Sequence, residues 1–289
     1  MPTTIGSMDR VWRCRDRELA LAAQTLVMGI VNVTPDSFSD GGMFGDADAA
    51  VRHGLRLLEE GADVLDVGGE STRPGSEPMG SEEEASRVLP VLEGLRREAP
   101  EAFLSVDTRA PSVAEQALAA GADVVNDIAA GTDPSMLGVV ARSGAGMVLM
   151  HMRGEPKTMQ ADPRYGDVVA EVRAFLAERI EAAVAAGIGR DRLCIDPGIG
   201  FGKNLEHNLA LLRSIGSFRE LGAAVLAGAS RKRFIGELSG VEDAGDRRDG
   251  SLAAAVWCAA QGVDAVRVHD VAPTVQALRV ADAIARGRP

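Results

Sequence analysis

The 289-residue sequence has few aromatic residues and few cysteines: 3% of its residues are aromatic, one is a tyrosine and three are cysteines. Cys14, Cys194 and Cys258 are too few and too scattered for a disulfide framework or a zinc knuckle, so we expect buried free thiols. The sequence has no apolar run of 18 residues, and we therefore expect no membrane-spanning helix. The first 25 residues mix acidic residues with arginines and lack an apolar core, which predicts no signal peptide and a cytoplasmic protein.

Positive charge is also in short supply, because 31 Lys and Arg face 42 Asp and Glu, for a formal net charge of −11. This balance argues against nucleic acid or an anionic membrane as a partner. An anionic substrate would be repelled by the overall field, so its site would need a local cluster of cations. The sequence has four histidines, too few to favour a multi-histidine metal site. A Mg²⁺ ion held by one amide oxygen, substrate phosphates and water stays open.

A repeated unit organises the chain. A turn containing glycine, at Gly61, Gly121, Gly144 and Gly262, precedes a short apolar run each time, as expected where a helix ends and a buried parallel strand begins. With the runs at 26–32, 103–107, 192–196 and 223–230, eight strands are predicted, separated by amphipathic helices. The pattern favours a single-domain α/β protein over 1–289, a (β/α)8 TIM barrel spanning about 22–285. A doubly wound open sheet is the alternative, and residues 11–21 are predicted to form a short hairpin that caps the bottom of the barrel.

Several helix starts are also predicted. Ser81 followed by Glu84 has the spacing of a capping box. Asp133-Pro134 and Ala272-Pro273 place a proline in the first turn of a helix, where its missing N–H costs no hydrogen bond.

Polar side chains follow every predicted strand. The runs end in Asn32, in 66–70, in Asp107, in 126–127, in His151, in Asp196, in 230–232 and in 267–269. The carboxyl ends of barrel strands face one rim, where the active sites of this fold are built. A strand-end aspartate alone often only caps the next helix, but eight polar endings predict a site at this rim.

Three loops carry further signals. The segment 28–42, MGIVNVTPDSFSDGG, places Phe38 within a polar loop, where an aromatic ring is more useful for covering a ligand than for solubility. GGESTRPG at 68–75 holds Arg73 between turn residues, and arginine binds phosphate or carboxylate well. DPGIGFGK at 196–203 does not match the nucleotide-binding P-loop. Its alternating glycines instead favour a flat ring lying against backbone.

Cationic residues cluster near the last two strands. GASRKRFIG at 228–236 includes Lys232, and Arg267 and His269 alternate in VRVHDV, so these two share one face of a strand. Together with Arg73 they form a candidate anion pocket. Ion pairs with rim carboxylates are the alternative reading.

Taken in order, the motifs MGIVNVTPDSFSDGG, GGESTRPG, SVDT, NDI, LMHMRGEPKTMQ, DPGIGFGK, GASRKRFIG and RVHDV closely resemble the dihydropteroate synthase family of pterin-binding enzymes. The resemblance covers about residues 11–285. It implies condensation of 6-hydroxymethyl-7,8-dihydropterin pyrophosphate with p-aminobenzoate to 7,8-dihydropteroate in folate biosynthesis. It also implies Mg²⁺ as cofactor, sulfonamide-type inhibitors and a homodimer.

The resemblance assigns a role to each matching residue. The residues implied to bind the pterin are Asp107, Asn126, Met150, Asp196, Phe201, Gly202, Lys232 and Arg267. Those implied to bind pyrophosphate are Asn32, Thr72, Arg73, Arg267 and His269, with Asn32 as the metal ligand. Those implied to enclose p-aminobenzoate are Phe38, Pro74, Phe201 and Arg233. The implied catalytic set is Asp107, Asp196, Lys232, Arg267 and His269.

The chemistry that follows is a dissociative substitution without a protein nucleophile. Departure of pyrophosphate leaves a cationic methylene, which a buried carboxylate such as Asp107 can stabilise. The sequence departs from the family at Arg233, where several members have serine, and in NDIAAG, which replaces NDxSGG. Two alternatives remain at this stage: a pterin-binding methyltransferase on the same barrel, and a non-catalytic pterin-binding paralogue.

Overall fold

The structure is a computed structural model that describes residues 10–21, 23–33, 42–70 and 79–286. It begins with an antiparallel hairpin of β1 (Val11–Cys14) and β2 (Arg17–Ala20). The eight strands that follow are β3 (Leu26–Asn32), β4 (Val64–Gly68), β5 (Phe103–Asp107), β6 (Val124–Asp127), β7 (Gly146–Met150), β8 (Leu193–Asp196), β9 (Ala224–Ala227) and β10 (Ala265–Val268). Each predicted strand is present, and so is the hairpin.

Helices alternate with these strands. They are α1 (Gly42–Glu59), α2 (Ser81–Glu98), α3 (Pro111–Ala119), α4 (Pro134–Ser143), α5 (Val168–Ala185), α6 (Leu205–Arg213), α7 (Arg233–Ser239), α8 (Arg248–Ala260) and α9 (Val271–Arg286), with 3₁₀ turns at Arg190–Arg192 and Ile215–Leu221. Within the described ranges, no helix combines the length and the apolar character needed to cross a bilayer.

The eight strands β3 to β10 form a closed parallel barrel in chain order, with β10 pairing back to β3. The predicted (β/α)8 TIM barrel is thus confirmed, and the open doubly wound sheet is excluded. Closure brings the carboxyl ends of all eight strands to one rim, whatever their separation in sequence. Val67 and Leu104 are among the side chains that face outward and pack against the surrounding helices.

The barrel interior is apolar at one end and polar at the other. Met28, Val64 and Val124 belong to an interior cluster near the amino ends of the strands. Because successive side chains of a strand point to opposite faces, the residues two positions after Val64 and Val124, Asp66 and Asn126, also face inward but lie nearer the carboxyl ends. Strand alternation therefore directs the polar residues into the mouth of the barrel.

The hairpin closes the apolar end, as predicted. Trp12 is 1% exposed and belongs to the same interior cluster, and its Nε1 donates to the Arg192 carbonyl at 3.0 Å. The backbone N–H of Arg15 donates to the carbonyl of Gly144, in the turn that precedes β7. The bottom of the barrel is therefore plugged by aromatic packing, and the polar mouth at the other end remains for function.

One predicted helix cap is wrong, although α2 begins at Ser81 as expected. Ser81 is the first helical residue of α2, its cap is Gly80, and no side chain caps this helix end. The predicted capping box is therefore absent, and Glu84 is buried rather than reaching back to the cap. The other two starts are confirmed: Asp133 caps α4 by accepting from Ser135 N, and Pro273 lies in the first turn of α9.

Candidate active site

The predicted site residues lie around one mouth of the barrel wherever the structure describes them. Asn32, Asp107, Met150 and Asp196 are the last residues of β3, β5, β7 and β8. Asn126 and Arg267 lie within β6 and β10. Phe201, Gly202, Lys232, Arg233 and His269 follow β8, β9 and β10 on the same side. Phe38, Thr72, Arg73 and Pro74 lie outside the described residues.

A buried carboxylate, Asp66, anchors the floor of this mouth. Its Oδ1 accepts from Ser105 Oγ at 2.6 Å, and its Oδ2 accepts from Asn126 Nδ2 at 2.9 Å and from Arg267 Nε at 2.6 Å. Arg267 also donates from Nη2 to Asp107 Oδ2 at 2.8 Å. Donors from three strands meet one acid, so the guanidinium and the amide are each held in one orientation.

The electrostatic setting of Asp107 follows from this packing. Burial raises the pKa of Asp107 above its ordinary range; the Arg267 guanidinium opposes this shift, and the nearby Asp66 and Glu84 add to it. Burial alone would lower the pKa of Arg267, but Asp66 and Asp107 raise it. A further positive charge beside Asp107 would therefore stabilise its ionised form.

A second acid–base pair lies across the mouth. A Cβ placed on Gly228 would be 3.5 Å from Asp196 Oδ2 and 3.8 Å from Lys232 Nζ, so both side chains converge on this glycine. Asp196 Oδ1 accepts from Gly198 N at 2.7 Å. Burial lowers the pKa of Lys232 to about 8, against the opposing pull of Asp196, and burial raises the pKa of Asp196. A carboxylate beside an amine can accept hydrogen bonds from the N–H groups of a flat heterocycle and donate to its ring nitrogens or carbonyl oxygens.

His269 is held at the edge of the mouth. Its backbone N–H donates to Ser230 Oγ at 3.2 Å, and its Nδ1 is 3.0 Å from the same hydroxyl. The adjoining Arg231 has a positive φ of 58° and pairs with Asp270 through Nε at 3.0 Å and Nη2 at 2.6 Å. Such a backbone conformation is unfavourable outside glycine, and the double ion pair helps to hold it in place.

Arg233 has a different environment from the other predicted residues. Its side chain is 82% exposed and pairs with Glu237 one turn along α7, at 2.8 Å. Its predicted contact with p-aminobenzoate stays a prediction. Met150 is buried at the end of β7, and Asn32 is half-buried at the end of β3.

The sequence reasoning missed four residues that organise the site. Asp66 and His151 lie among the polar residues at the predicted strand ends, but no motif assigns them a role. Ser105 and Lys203 lie within SVDT and DPGIGFGK, again without a predicted role. A buried position two residues before a strand's end is the available signal for Asp66 and Ser105. Lys203 is 2% exposed, which no local pattern indicates.

The glycines of 196–203 also differ from expectation. They were expected to let a flat ring approach the backbone. A Cβ on Gly198 or Gly202 would instead meet the carbonyls of His151 or Arg153, in the loop after β7. Gly198 and Gly202 thus allow two loops of the protein to pack together, whereas a Cβ on Gly200 would lie 3.0 Å from Lys232 Cδ.

A cavity of about 360 Å³ lies at the opposite end of the barrel, beside Thr25 and α9. Its acids are already engaged: Asp63 accepts from Val27 N at 2.7 Å, and Asp282 from Thr25 N at 2.7 Å. The acids and bases that are predicted to bind substrate lie at the other mouth, at the carboxyl ends of the strands.

Comparison with known proteins agrees with this geometry. Residues 28–269 match the family model described as "Pterin binding enzyme". The dihydropteroate synthase of Escherichia coli K12 is 47% identical over 257 residues, covering 89% of this chain and 90% of that protein.

Solved structures extend the similarity to three dimensions. A Xanthomonas albilineans dihydropteroate synthase with 4-aminobenzoic acid superposes with a TM-score of 0.90 at 52% identity, covering 97% of this chain and 99% of that one. A Yersinia pestis dihydropteroate synthase in a sulfonamide drug complex gives a TM-score of 0.89 at 43% identity, covering 95% and 98%.

The barrel, its polar mouth and the matched residues define a pterin-binding enzyme built on a TIM barrel. Identities of 43–52% across nearly the whole chain narrow this class further. The chain belongs to the dihydropteroate synthase family.

Proposed function

We propose that this protein joins 6-hydroxymethyl-7,8-dihydropterin pyrophosphate to p-aminobenzoate, giving 7,8-dihydropteroate and pyrophosphate. The observation that carries the proposal is the convergence of Asp107, Asn126, Asp196, Lys232 and Arg267 at one barrel mouth. These five come from strands and loops up to 160 residues apart, and the ion pair between Arg267 and Asp107 joins the two ends of that range.

The pterin is assigned to the floor of the mouth. A pterin ring presents N–H donors and ring-nitrogen and carbonyl acceptors along its edges. Asp196 supplies an acceptor and Lys232 a donor. Asn126 can supply its carbonyl oxygen and the second hydrogen of its Nδ2, because Asp66 accepts only one of the two. Met150 and Phe201 supply apolar surface. The carboxylates at the floor of the mouth are thus assigned to the uncharged pterin ring and not to the anionic pyrophosphate.

The pyrophosphate is assigned to the cationic edge, where Arg267 and His269 lie. Asp107 and Asp66 raise the pKa of Arg267, so its charge is retained in this buried setting. Ser230 fixes the His269 ring through Nδ1. With the Ser230 hydroxyl donating to Nδ1, a neutral His269 keeps its proton on Nε2, where it can donate to a phosphate oxygen.

Bond breaking is proposed to precede bond making. As the C–O bond to pyrophosphate lengthens, positive charge develops on the pterin methylene, and Asp107 is the carboxylate placed to stabilise it. The aryl amine of p-aminobenzoate then forms the C–N bond and loses one proton. No nucleophilic side chain is required, and enclosure by the loops excludes competing water.

Mg²⁺ is the proposed cofactor, with the Asn32 amide oxygen as its protein ligand. Among the described residues there is no group of three or more His, Cys, Asp or Glu side chains able to hold a metal. A single amide oxygen at the strand end fits an ion that takes its other ligands from substrate phosphates and water. When bound, the ion would neutralise charge on the departing pyrophosphate.

p-Aminobenzoate is assigned to the outer part of the mouth, against Phe201, with Phe38, Pro74 and Arg233 enclosing it. Sulfonamide drugs are expected to compete there, as the Yersinia pestis complex suggests by similarity. Thr72 and Arg73 are proposed to complete the binding of pyrophosphate from the neighbouring loop.

We further propose a cytoplasmic homodimer. Trp257, Val280 and Ile284 on the adjacent helices α8 and α9 are 45%, 59% and 80% exposed. Exposed apolar residues grouped on neighbouring helices are typical of a subunit interface. The three cysteines are unpaired and buried, which is compatible with a reducing compartment.

The test is a pyrophosphate-release assay with purified protein, the pterin pyrophosphate, Mg²⁺ and p-aminobenzoate. We expect release to depend on p-aminobenzoate and to match the formation of 7,8-dihydropteroate one for one. No release, or release at the same rate without p-aminobenzoate, would rule the synthase reaction out. A complete absence of pyrophosphate release would favour a non-catalytic binding protein.

A further inference from the structure

The loop after β8, residues 197–203, is held by an unusual set of side-chain hydrogen bonds; we refer to it as the glycine-rich loop. The four consecutive carbonyls of residues 199 to 202 accept, in order, from the side chains of Lys232, Gln160, Lys203 and Tyr165. The bonds from Lys203 and Tyr165 both measure 2.9 Å. Loops at a protein surface generally leave such groups to water, so this loop is immobilised by protein donors.

Two of these donors belong to the loop after β7, residues 151–165, which contains most of the motif LMHMRGEPKTMQ. Its backbone touches the glycine-rich loop directly. Gly198 and Gly202 have φ of 68° and 64°, and a Cβ there would lie 1.9 Å from the His151 carbonyl oxygen and 2.3 Å from that of Arg153. No side chain fits at either position, so the two loops are packed as one unit.

Lys203 lies at the centre of this unit. Its Nζ is 3.0 Å from His151 Nδ1, and it donates to the carbonyls of Phe201 at 2.9 Å and of His151 at 3.4 Å. Burial lowers the pKa of His151 to about 3, so its neutral ring accepts at Nδ1. All the hydrogen-bonding capacity of the lysine is therefore used inside the protein, which leaves none for a substrate.

These contacts converge on Phe201, the ring proposed to face the substrates. Its carbonyl is held by Lys203, and Lys232 Nζ lies 4.5 Å from the centroid of its ring. A small aromatic acid such as p-aminobenzoate offers few polar groups, so its position depends on the shape of the wall beside it. Misplacement of a reacting group by about 1 Å can cost on the order of 10²-fold in rate.

We propose that Lys203 and Tyr165 are positioning residues that fix Phe201 and the glycine-rich loop as a rigid wall for the aromatic substrates. Neither contacts a substrate. The inference rests on the proposed function, because it takes the role of Phe201 from it. It also gives a function to the motif LMHMRGEPKTMQ, which packs against the glycine-rich loop.

The experiment compares Tyr165→Phe and Lys203→Met with the wild-type enzyme in steady-state assays. Tyr165→Phe removes one hydroxyl donor and leaves the ring in place. We expect it to raise the KM for p-aminobenzoate about fivefold, and Lys203→Met to raise it tenfold or more, as the loss of one and of several hydrogen bonds implies. Product inhibition by pyrophosphate should stay within twofold of wild type, because Asn32 and His269 lie at the ends of other strands, β3 and β10.

Matched controls come from the opposite end of the barrel. Ser143→Ala removes one hydroxyl that donates to the Val140 carbonyl at 2.9 Å. Arg96→Met removes a half-buried guanidinium that donates to the carbonyls of Ala102 and Gly121, at 2.9 and 2.7 Å. Both controls should lower thermal stability without changing the KM for p-aminobenzoate.

The inference is overturned if Tyr165→Phe leaves this KM unchanged in an active enzyme, or if pyrophosphate inhibition weakens in parallel. It is also overturned if Ser143→Ala raises the KM as much. If Lys203→Met does not fold, the KM of Tyr165→Phe for p-aminobenzoate tests the inference by itself. A wild-type protein without synthase activity would instead contradict the proposed function.

Discussion

Replacing Asp107 by asparagine isolates the charge that is proposed to stabilise the cationic methylene. The amide keeps the size of the side chain and can still accept from Arg267 Nη2, which lies 2.8 Å from Asp107 Oδ2. Two unit charges about 5 Å apart at an effective dielectric constant of about 20 interact by roughly 3 kcal/mol. Removing that interaction from the transition state should lower kcat about 10²-fold.

The assay is pyrophosphate release at saturating concentrations of both substrates, with wild type and Asp107→Asn side by side. Pyrophosphate does not carry the methylene charge, so its inhibition constant should change less than threefold. A kcat within threefold of wild type would refute the role of Asp107. An equal loss in kcat and in pyrophosphate affinity would show that the variant had disturbed Arg267 instead.

Three further predictions concern Asp66, the pH dependence of activity and Trp12 in the N-terminal hairpin. Asp66→Asn should lower the free energy of unfolding by about 3 kcal/mol in urea titrations, because it leaves Arg267 without one buried partner; a loss under 0.5 kcal/mol would contradict that. Activity should be lost as pH falls through the raised pKa of Asp107, which must be deprotonated. It should be lost again as pH rises through the pKa of Lys232, about 8, because that amine must be protonated. A kcat/KM flat between pH 5 and 9 would refute both assignments. Trp12→Ala should cost about 3–5 kcal/mol of stability, yet leave kcat per folded molecule unchanged, since the ring fills the apolar end; a large fall in kcat would place Trp12 in the site.

The barrel was predictable because its signals are local. A glycine turn followed by a short apolar run recurs at four of the eight units. The run at 103–107 and β5 coincide to the residue. Because strands and helices alternate along the chain, all strands of the barrel end on the same side. A polar site at that rim could therefore be predicted from the residues at the strand ends. The capping box at Ser81 failed because its spacing is met equally by a helix whose cap lies one residue earlier, at Gly80.

The internal network could not be read from the sequence, because its contacts are between distant positions. Asp66 and Arg267 are 201 residues apart, and nothing near either one specifies the other. Lys203 follows a glycine-rich stretch and has the sequence context of a ligand-binding lysine, yet it is buried against His151, 52 positions earlier. Burial and hydrogen-bond saturation decide its role, and both depend on how two loops pack.

The most direct test is a crystal structure of the protein soaked with a pterin. The ring should lie between Asp107 and Asp196, within hydrogen-bond distance of Asn126 and Lys232. A pterin bound anywhere else, for example in the cavity beside Thr25, would contradict the central claim that this mouth of the barrel is the active site.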